Sequence, residues 1–329
     1  EAELAKYNQQ LAFEPIDAGL MLGEPGGQAT IGGIVASNLS GARRVLKGAA
    51  RDHLLGMRFV NGHGELIKSG GRVMKNVTGL DLARTLAGSW GTLAVLTEVT
   101  FKVMPKPEAT ATLILLGLED GIAVEALSTA MGSPFEVSGA VHLQQPLAER
   151  LWHQGLRAEH RAVTAIRIEN FASSISYRAK ALRALFEPYG ETLELDHPAS
   201  LAFWNELRQL NFLQGSSNPV WRISTAPKSG PAVIESISRI TELSVAYDWS
   251  GGLLWVEVPP SADANAADIH RIVAIKGGQA MLFRADTETR AKVDVFQPLE
   301  HGLLSLTERL KAAFDPQRLF NPGRMYASC

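Results

Sequence analysis

The sequence predicts an α+β protein with two domains, and three observations support this fold class. The chain has 329 residues, more than most single domains contain, and 46% hydrophobic with 20% charged residues is typical of a globular protein with a substantial core. A segment rich in glycine lies within residues 26–56. Beyond residues 105–107 (PKP), strand-like and helix-like runs alternate, so we expect domains at 1–107 and 108–329.

The first region contains short predicted elements. Residues 1–12 look like the end of a helix, and residues 81–87 predict a helix with Thr78 as its N-cap. The asparagine and glycines of residues 61–64 predict a hairpin turn, because these residues tolerate positive φ. The prolines at 105 and 107 are expected to stop regular structure. Strand-like runs with β-branched residues lie at 54–61 (LLGMRFVN), 64–69 (GELIKS) and 93–104 (LAVLTEVTFKVM).

The second region alternates strands and helices. Strand-like runs lie at 111–117, 137–143, 163–169, 220–225 and 253–258. Helical runs lie at 119–131, 173–187, 198–210, 231–240, 263–275 and near 298–313. Such alternation indicates an α/β layer sandwich, and a short tail, 314–329, follows the last helix.

Charge and cysteine content exclude several classes of protein. The formal net charge of −2 gives no overall field that would attract nucleic acid or an anionic membrane. Cys329 is the single cysteine, which rules out a disulfide within the chain and a thiolate metal cluster, and fits a reducing compartment. The sequence has no run of eighteen apolar residues and no secretory signal, so we predict no membrane span and no metal site.

Two clusters of small residues are the strongest functional signal. The first, residues 26–41, combines glycines with short polar side chains, so its backbone amides can approach an anion closely. Its spacing fits neither a Rossmann fingerprint nor a P-loop. The second, residues 88–98 (GSWGTLAVLTE), reads as a glycine turn entering a strand. A loop whose glycines serve only turns is the alternative, but we predict that both clusters line one long nucleotide groove.

Together the clusters resemble the second half of the FAD-binding domain of the vanillyl-alcohol-oxidase, or PCMH-type, flavoproteins. The matching segments are 30–33 (TIGG), 36–41, Gly48 with 51–56 (RDHLLG), and 88–98. The tail segment 314–323 resembles the end of the family's substrate domain. Residues 221–224 (WRIS) and 248–252 (DWSGG) are most similar to the E-subunit group of bacterial glycolate oxidases.

The resemblance implies FAD as cofactor and assigns residues to it. The family stretch matching 24–33 lies along the flavin and its phosphates, and the stretch matching 37–40 is a polar loop beside the pyrophosphate. The phosphates favour a cationic loop. Arg43, Arg44, Lys47 and Arg51 could supply its charge, and the alternative is that these four residues form a solvated basic face. The implied cofactor-binding residues are Gly26, Thr30, Ile31, Gly32, Gly33, Ser37, Asn38, Ser40, Gly41, Arg51, Asp52, Gly91, Thr92, Leu93 and Val95.

The implied architecture is a two-domain flavoprotein oxidase fold. An FAD-binding domain that lacks its first βαβ part is followed by an α/β substrate (cap) domain with an antiparallel sheet, whose tail returns to the flavin. Only 23 residues precede Glu24, fewer than the roughly 30 of a βαβ unit, so we expect weak or no FAD binding by this chain alone.

The catalytic residues are less well defined. None of the eight histidines lies in the His-x-Gly-Asp-Gly-Asn segment of many catalytic relatives, so no general base can be named. Arg222 and Arg324 are candidates for binding a substrate carboxylate, because a guanidinium matches it bidentately; structural ion pairs are the alternative. Asn321 matches a closing asparagine that lies near the flavin ring in the family.

The resemblance implies an FAD-dependent 2-hydroxy-acid oxidoreductase subunit of a glycolate oxidase complex, which oxidises glycolate to glyoxylate. Its partners would be a paralogous flavin subunit and an iron–sulfur subunit, and its location cytoplasmic or peripheral at the inner membrane through those partners. A non-catalytic scaffold subunit that keeps the flavoprotein fold is the alternative. A flavoenzyme for sugars or phenols is a third hypothesis, disfavoured because no histidine for covalent flavin attachment is visible.

Overall fold

The computed structural model describes residues 1–74 and 79–329. Its helices are α1 (Ala2–Ala5), α2 (Ile31–Ser37), α3 (Arg44–Lys47), α4 (Ala50–His53), α5 (Leu82–Leu86), α6 (Asp120–Met131), α7 (Gln145–Ala148), α8 (Gln154–Arg157), α9 (Ala172–Phe186), α10 (His197–Arg208), α11 (Gly230–Ser238), α12 (Ala266–Lys276), α13 (Thr287–Lys292) and α14 (His301–Phe314). Among the described residues, none of these helices has the length and apolar character needed to cross a bilayer.

The strands form three sheets in the described part of the chain. They are β1 (Gln9–Gln10), β2 (Leu54–Val60), β3 (Leu66–Gly70), β4 (Val95–Phe101), β5 (Met104–Pro105), β6 (Ala109–Leu116), β7 (Val137–Leu143), β8 (Val163–Asn170), β9 (Thr192–Leu195), β10 (Val220–Thr225), β11 (Ser244–Asp248), β12 (Leu253–Glu257) and β13 (Gly278–Arg284). β1 pairs with β5, and the order of the small sheet is β3-β2-β4. The large sheet has the order β13-β10-β12-β11-β7-β8-β6-β9.

The large sheet is antiparallel and carries two cores, one on each face. Alternate residues of its strands point to opposite faces. One face packs under α6, α9, α11 and α12. The other packs against α10 and the N-terminal region, where Ile16, Leu39 and Ala42 join the sheet residues Val141 and Trp255. The face that meets the glycine-rich segment is therefore the one that can contribute to a shared site.

A buried ion-pair network joins the N-terminal region to this face. Glu14 accepts hydrogen bonds from both terminal nitrogens of Arg167, at 2.8 and 3.0 Å, and from the backbone amide of Arg43 at 2.7 Å. Arg43 binds Glu169 through two hydrogen bonds of 2.8 and 2.6 Å. The side chains of all four residues are at most 11% exposed. Arg43 therefore does not belong to a solvated basic face.

The small sheet supports the second glycine cluster. Its core includes Phe59 of β2, Leu86 of α5 and Leu93, and Phe314 of α14 packs 6.1 Å from the Phe59 ring. The predicted hairpin between β2 and β3 is confirmed, and the Asn61 side chain closes it by accepting from the amides of His63 and Glu65, both at 3.0 Å.

Most predicted strands and helices occur close to their predicted bounds, but four details differ. The first glycine cluster contains helix α2, because the Thr30 hydroxyl caps the Gly33 amide at 3.0 Å. Residues 1–12 contain β1 as well as α1. The prolines do not end regular structure at once, since Met104–Pro105 pairs with β1 at an edge that needs no proline amide. Helix α5 is capped by Asp81, and Thr78 lies outside the described residues.

The C-terminal tail is anchored to the second cluster by a buried lysine. The Lys311 ammonium donates to the backbone oxygens of Thr92 at 2.7 Å and Phe320 at 2.9 Å, and to the Asp315 carboxylate at 2.8 Å. The Asp315 carboxylate also accepts from the amides of Leu319 and Phe320. The buried Lys311 ammonium thus holds residues 315–321 against residues 90–92.

Candidate functional site

The two glycine clusters meet in the structure, as the sequence predicts. The amide of Gly88 donates to the Val35 carbonyl at 3.0 Å, and the amide of Trp90 donates to the Ala36 carbonyl at 2.8 Å. Gly88 has φ +86, and a side chain there would stand 3.5 Å from Asn38. Helix α2 and the turn before β4 therefore form one continuous surface.

The C-terminal tail adds the third side of this site. The Asn321 amide donates to the carbonyls of Trp90 at 3.2 Å and Gly91 at 3.1 Å. A Cβ atom at Gly91, whose φ is +70, would lie 2.9 Å from that amide nitrogen. The Arg324 guanidinium lies 5.7 Å from the centre of the Trp90 ring. Glycine at 91 thus permits the tail to approach, and the tail carries a cation to the site.

These segments enclose an open groove of about 640 Å³, within the range of typical small-molecule sites. Leu22, Leu39 and Phe283 supply apolar surface, and Phe283 comes from β13 of the large sheet. Eight further lining residues are glycine or alanine: Ala18, Gly19, Ala29, Gly32, Gly33, Ala36, Gly91 and Ala94. A second cavity of about 550 Å³ shares Asp17, Ala29 and Thr30 with the groove.

Three charged residues line the groove: Asp17, Glu24 and Arg324. The carboxylate of Asp17 accepts from the amides of Gly19 at 3.0 Å and Gly27 at 2.6 Å, so its charge is used to close the loop of residues 17–27. Arg324 is exposed and has no carboxylate within 4 Å in the part of the chain that the structure describes. Arg324 also acts on Arg290: burial and then this charge lower the pKa of Arg290.

The structure brings some of the predicted FAD residues to the groove. Asn321 and Arg324, two of the three catalytic candidates, also line it. Gly26 and Ile31 line the second cavity. The groove itself contains Thr30, Gly32, Gly33, Ser37, Gly91 and Val95. The role of these residues in binding FAD stays a prediction.

Other predicted FAD residues do not line the groove and make structural contacts. The Ser40 hydroxyl is buried and accepts from the amide of Ala50 at 2.9 Å. The Asn38 side chain accepts from the amide of Arg51, and the Asp52 carboxylate accepts from the amide of Ala49. Gly41 packs on Glu14, and the buried pair of Thr92 and Leu93 belongs to the small-sheet side.

Arg222 also lies outside the groove, on β10, which is the second strand from one edge of the large sheet. It is opposite Trp255 of β12 and Met281 of β13. The Trp255 ring packs edge-on against Phe283, 5.2 Å away, and Phe283 lines the groove. None of the histidines in the described residues lines the groove; His53, for instance, is buried with its Nε2 bound to the Lys47 carbonyl at 2.8 Å.

Comparisons with known proteins identify the family. A family model described as "FAD binding domain" matches residues 7–70. Glycolate oxidase subunit GlcE of Escherichia coli (strain K12) is 34% identical over 330 residues, which cover 99% of this chain and 78% of that protein. The chain belongs to the GlcE family of flavoproteins. A GlcD subunit of Bacillus subtilis (strain 168) is 26% identical, over 91% of this chain and 68% of that protein.

The fold agrees with this assignment. The VAO-type flavoprotein MtVAO615 of Myceliophthora thermophila superposes with a TM-score of 0.61 at 13% identity, covering 97% of this chain and 63% of that one. The predicted family, the α+β fold class with its antiparallel sheet and the FAD cofactor are confirmed for this GlcE-family chain, as is the prediction of an FAD-dependent oxidoreductase subunit.

The residues of the groove fit FAD. A Cβ atom added at Gly32 would meet no other atom within 4 Å, so the bare backbone there faces open space that a ligand can occupy. Residues of both glycine clusters line the groove, Phe283 and Leu39 supply apolar surface, and Arg324 supplies a cation. Open glycine backbone and apolar surface suit a long nucleotide, and the Arg324 guanidinium is available to an anionic group beside it.

Some groove residues were not predicted. Asp17 precedes a glycine in a turn-rich segment, and an aspartate that accepts from backbone amides is a recognisable turn signal. Leu22 has no such signal. Phe283 lies on β13, which was not predicted from the sequence and which pairs with the distant strand β10.

Proposed function

We propose that the chain is the FAD-binding subunit of a glycolate oxidase complex and acts in the oxidation of glycolate to glyoxylate. The observation that carries the proposal is Arg324, an exposed guanidinium without a carboxylate partner among the described residues, placed in the groove beside Gly91. FAD, when bound, supplies the hydride acceptor for a 2-hydroxy acid. The names of the E. coli and B. subtilis relatives support the substrate and the complex.

The residues of the chain have distinct tasks in this proposal. Arg324 binds the negative charge of the substrate carboxylate, for which its fork of donors is suited. Asn321 holds the carbonyls of Trp90 and Gly91, which keeps the tail and the second cluster together. Phe283 and Leu39 reduce access of water to the groove. The region 1–107 is the FAD-binding domain and 108–329 the substrate domain, with the tail returning to the first.

A scaffold role is the second candidate, and a specific observation favours it. The two carboxylates of the groove are Asp17, whose oxygens already accept from two amides, and Glu24. No histidine of the described chain lines the groove, so Glu24 is the one groove carboxylate left that could act as a general base. In that case the paralogous subunit carries out the chemistry and this chain supports its assembly with an iron–sulfur subunit, at the cytoplasmic face of the inner membrane.

The experiment compares variants of this chain within the assembled complex. Arg324→Gln is expected to lower kcat/KM for glycolate-dependent dye reduction by about 10- to 100-fold, the effect of removing a charged hydrogen bond. Arg239→Gln, which changes the exposed arginine directly after α11 that pairs with Glu235, is the matched control, and its kcat/KM should equal that of the wild type. Full activity of Arg324→Gln, with the flavin content and subunit composition of the wild type, would support the scaffold role instead.

A further inference from the structure

A second opening lies between helices α6 and α11, on the face of the large sheet opposite the candidate site, and is called the outer groove below. Its volume is about 1120 Å³. Residues 124–128 (VEALS) of α6 and 234–238 (IESIS) of α11 have the same pattern. Each helix contributes an apolar residue, the glutamate that follows it and a serine: Val124, Glu125 and Ser128, and Ile234, Glu235 and Ser238.

The outer groove has an apolar floor and room for a helix. Val124 and Ile234 are 3% and 4% exposed and belong to the core on this face of the sheet. Pro231 and Leu243 add partly buried apolar surface. A cylinder of this volume with the diameter of an α-helix, about 11 Å, is about 12 Å long, which corresponds to about eight residues. Two turns of a helix could therefore pack between the side chains of α6 and α11.

Carboxylates dominate the rim of the outer groove. Its exposed charged side chains are four glutamates and one lysine: Glu119, Glu125, Glu235, Glu242 and Lys228. Glu235 pairs with Arg239 at 2.6 Å, and within the described residues the other three glutamates have no basic group within 4 Å. Like charges at this density repel one another, and a cationic partner would relieve the repulsion.

A fifth carboxylate, that of Asp120, also lines the outer groove and is fixed in orientation. One of its oxygens accepts from the Tyr247 hydroxyl at 2.7 Å and the Gln144 amide at 2.9 Å, and the other lies 3.3 Å from Nε2 of His142. Burial opposes ionisation of Asp120, but the hydrogen bonds from these three side chains prevail and lower its pKa. The side chain of Asp120 is 24% exposed, so salt screens its charge less than the charges of the rim.

From these features we propose that the outer groove binds a basic amphipathic helix of a partner polypeptide. The apolar side chains of that helix pack against Val124 and Ile234 on the floor. Its lysines or arginines pair with Glu119, Glu125 and Glu242 at the rim. A metal ion or a polyamine fits less well, because neither would cover the apolar floor.

A second copy of this chain is a poor occupant. Among the described helices, α9 has three basic residues and no acidic one, but its apolar face is buried in the core of its own subunit. Helix α14 exposes Leu303 and Leu306, but its exposed arginine, Arg309, directly follows Glu308. The charge of the rim therefore points to a different polypeptide. The proposal concerns binding on this face of the sheet and holds whether or not the candidate site oxidises glycolate.

The test uses a fluorescent peptide of about 15 residues, with leucines at helical spacing and lysines elsewhere, and a counterpart with glutamates in place of the lysines. Fluorescence anisotropy with the full chain should show saturable binding of the lysine peptide alone. Glu125→Gln combined with Glu235→Gln should weaken this binding about 10-fold, because two rim charges are lost. The control, Glu159→Gln combined with Glu288→Gln, removes two exposed carboxylates outside the outer groove and should bind like the wild type.

A second variant changes the shape of the outer groove without changing its charge. Ser128→Trp fills space between the two helices and should weaken binding of the lysine peptide about 10-fold, whereas Ser305→Trp, at an exposed position of α14, should not. Equal binding of the two peptides, no saturable binding, or wild-type affinity in either groove variant would overturn the proposal. Self-association of the wild type that Ser128→Trp abolishes, measured by analytical ultracentrifugation, would assign the outer groove to a second copy and would also overturn it.

Discussion

The buried network of Glu14, Arg43, Arg167 and Glu169 gives a quantitative prediction for Glu169→Gln. The wild-type network balances two positive with two negative charges, and the variant leaves Arg43 and Arg167 with Glu14 alone. Burial opposes ionisation of Glu169, but the charges of Arg167 and Arg43 prevail and lower its pKa from 4.5 to about 2. The ionised form thus stabilises the folded protein by about 3 kcal/mol at pH 7.

A second estimate agrees, since removing one partner of a buried ion pair costs about 3–5 kcal/mol. The contribution also has a definite pH dependence. Because the pKa is depressed in the folded state, the stabilisation is complete above about pH 5 and is lost as the pH falls towards 2. By the same linkage, about 2 kcal/mol should remain at pH 3.5.

Urea unfolding followed by tryptophan fluorescence, at pH 7 and pH 3.5, checks this prediction. Glu136→Gln is the matched control, because Glu136 pairs with Arg178 while 53% exposed and should contribute less than about 1 kcal/mol. The reasoning is refuted if Glu169→Gln costs less than about 1 kcal/mol at pH 7, or if its cost is the same at both pH values.

Two further predictions concern the contact between the C-terminal tail and the second glycine cluster. Lys311→Met leaves the Asp315 carboxylate buried beside a methionine and should lower the free energy of unfolding by about 3–5 kcal/mol. The control Lys292→Met, at the exposed end of α13, should change that free energy by less than about 1 kcal/mol. Urea unfolding of both variants measures the two values. Gly91→Ala should cost about 1–2 kcal/mol in thermal unfolding and reduce flavin content, because φ is +70 and the new Cβ would lie 2.9 Å from the Asn321 amide. Gly121→Ala, in open space on α6, should be neutral or stabilising, and equal effects of the two glycine variants would contradict the argument.

Much of the fold could be predicted because its signals are local. The strands at 137–143 and 220–225 have their predicted bounds, since β-branched runs bounded by turns are read directly from sequence. Helix α2 was not predicted, because its glycines suggest a loop and only the Thr30 cap reveals it. Strand β13 was also not predicted. It is held by pairing with β10, which is distant in sequence.

The site was predicted where backbone chemistry determines it and missed where tertiary packing does. The meeting of residues 35–36 with 88–90 followed from two clusters of small residues that both suit a nucleotide. Whether an arginine is exposed, paired or stacked depends on neighbours from other strands. Arg43 thus belongs to a buried network, although the sequence allowed a solvated basic face, and Arg222 lies within a sheet and outside the groove, although the sequence made it a candidate for a substrate carboxylate.

The contact between Asn321 and Gly91 has a consequence for biosynthesis. The two residues are separated by 230 positions, so at about 5–20 residues per second the ribosome makes the second roughly 10–50 s after the first. Until then, the early glycine segments are exposed without the tail that completes their pocket. Capture of the flavin in its final geometry should therefore follow synthesis of the tail, and cells short of the cofactor should accumulate chains that are susceptible to proteases at the tail.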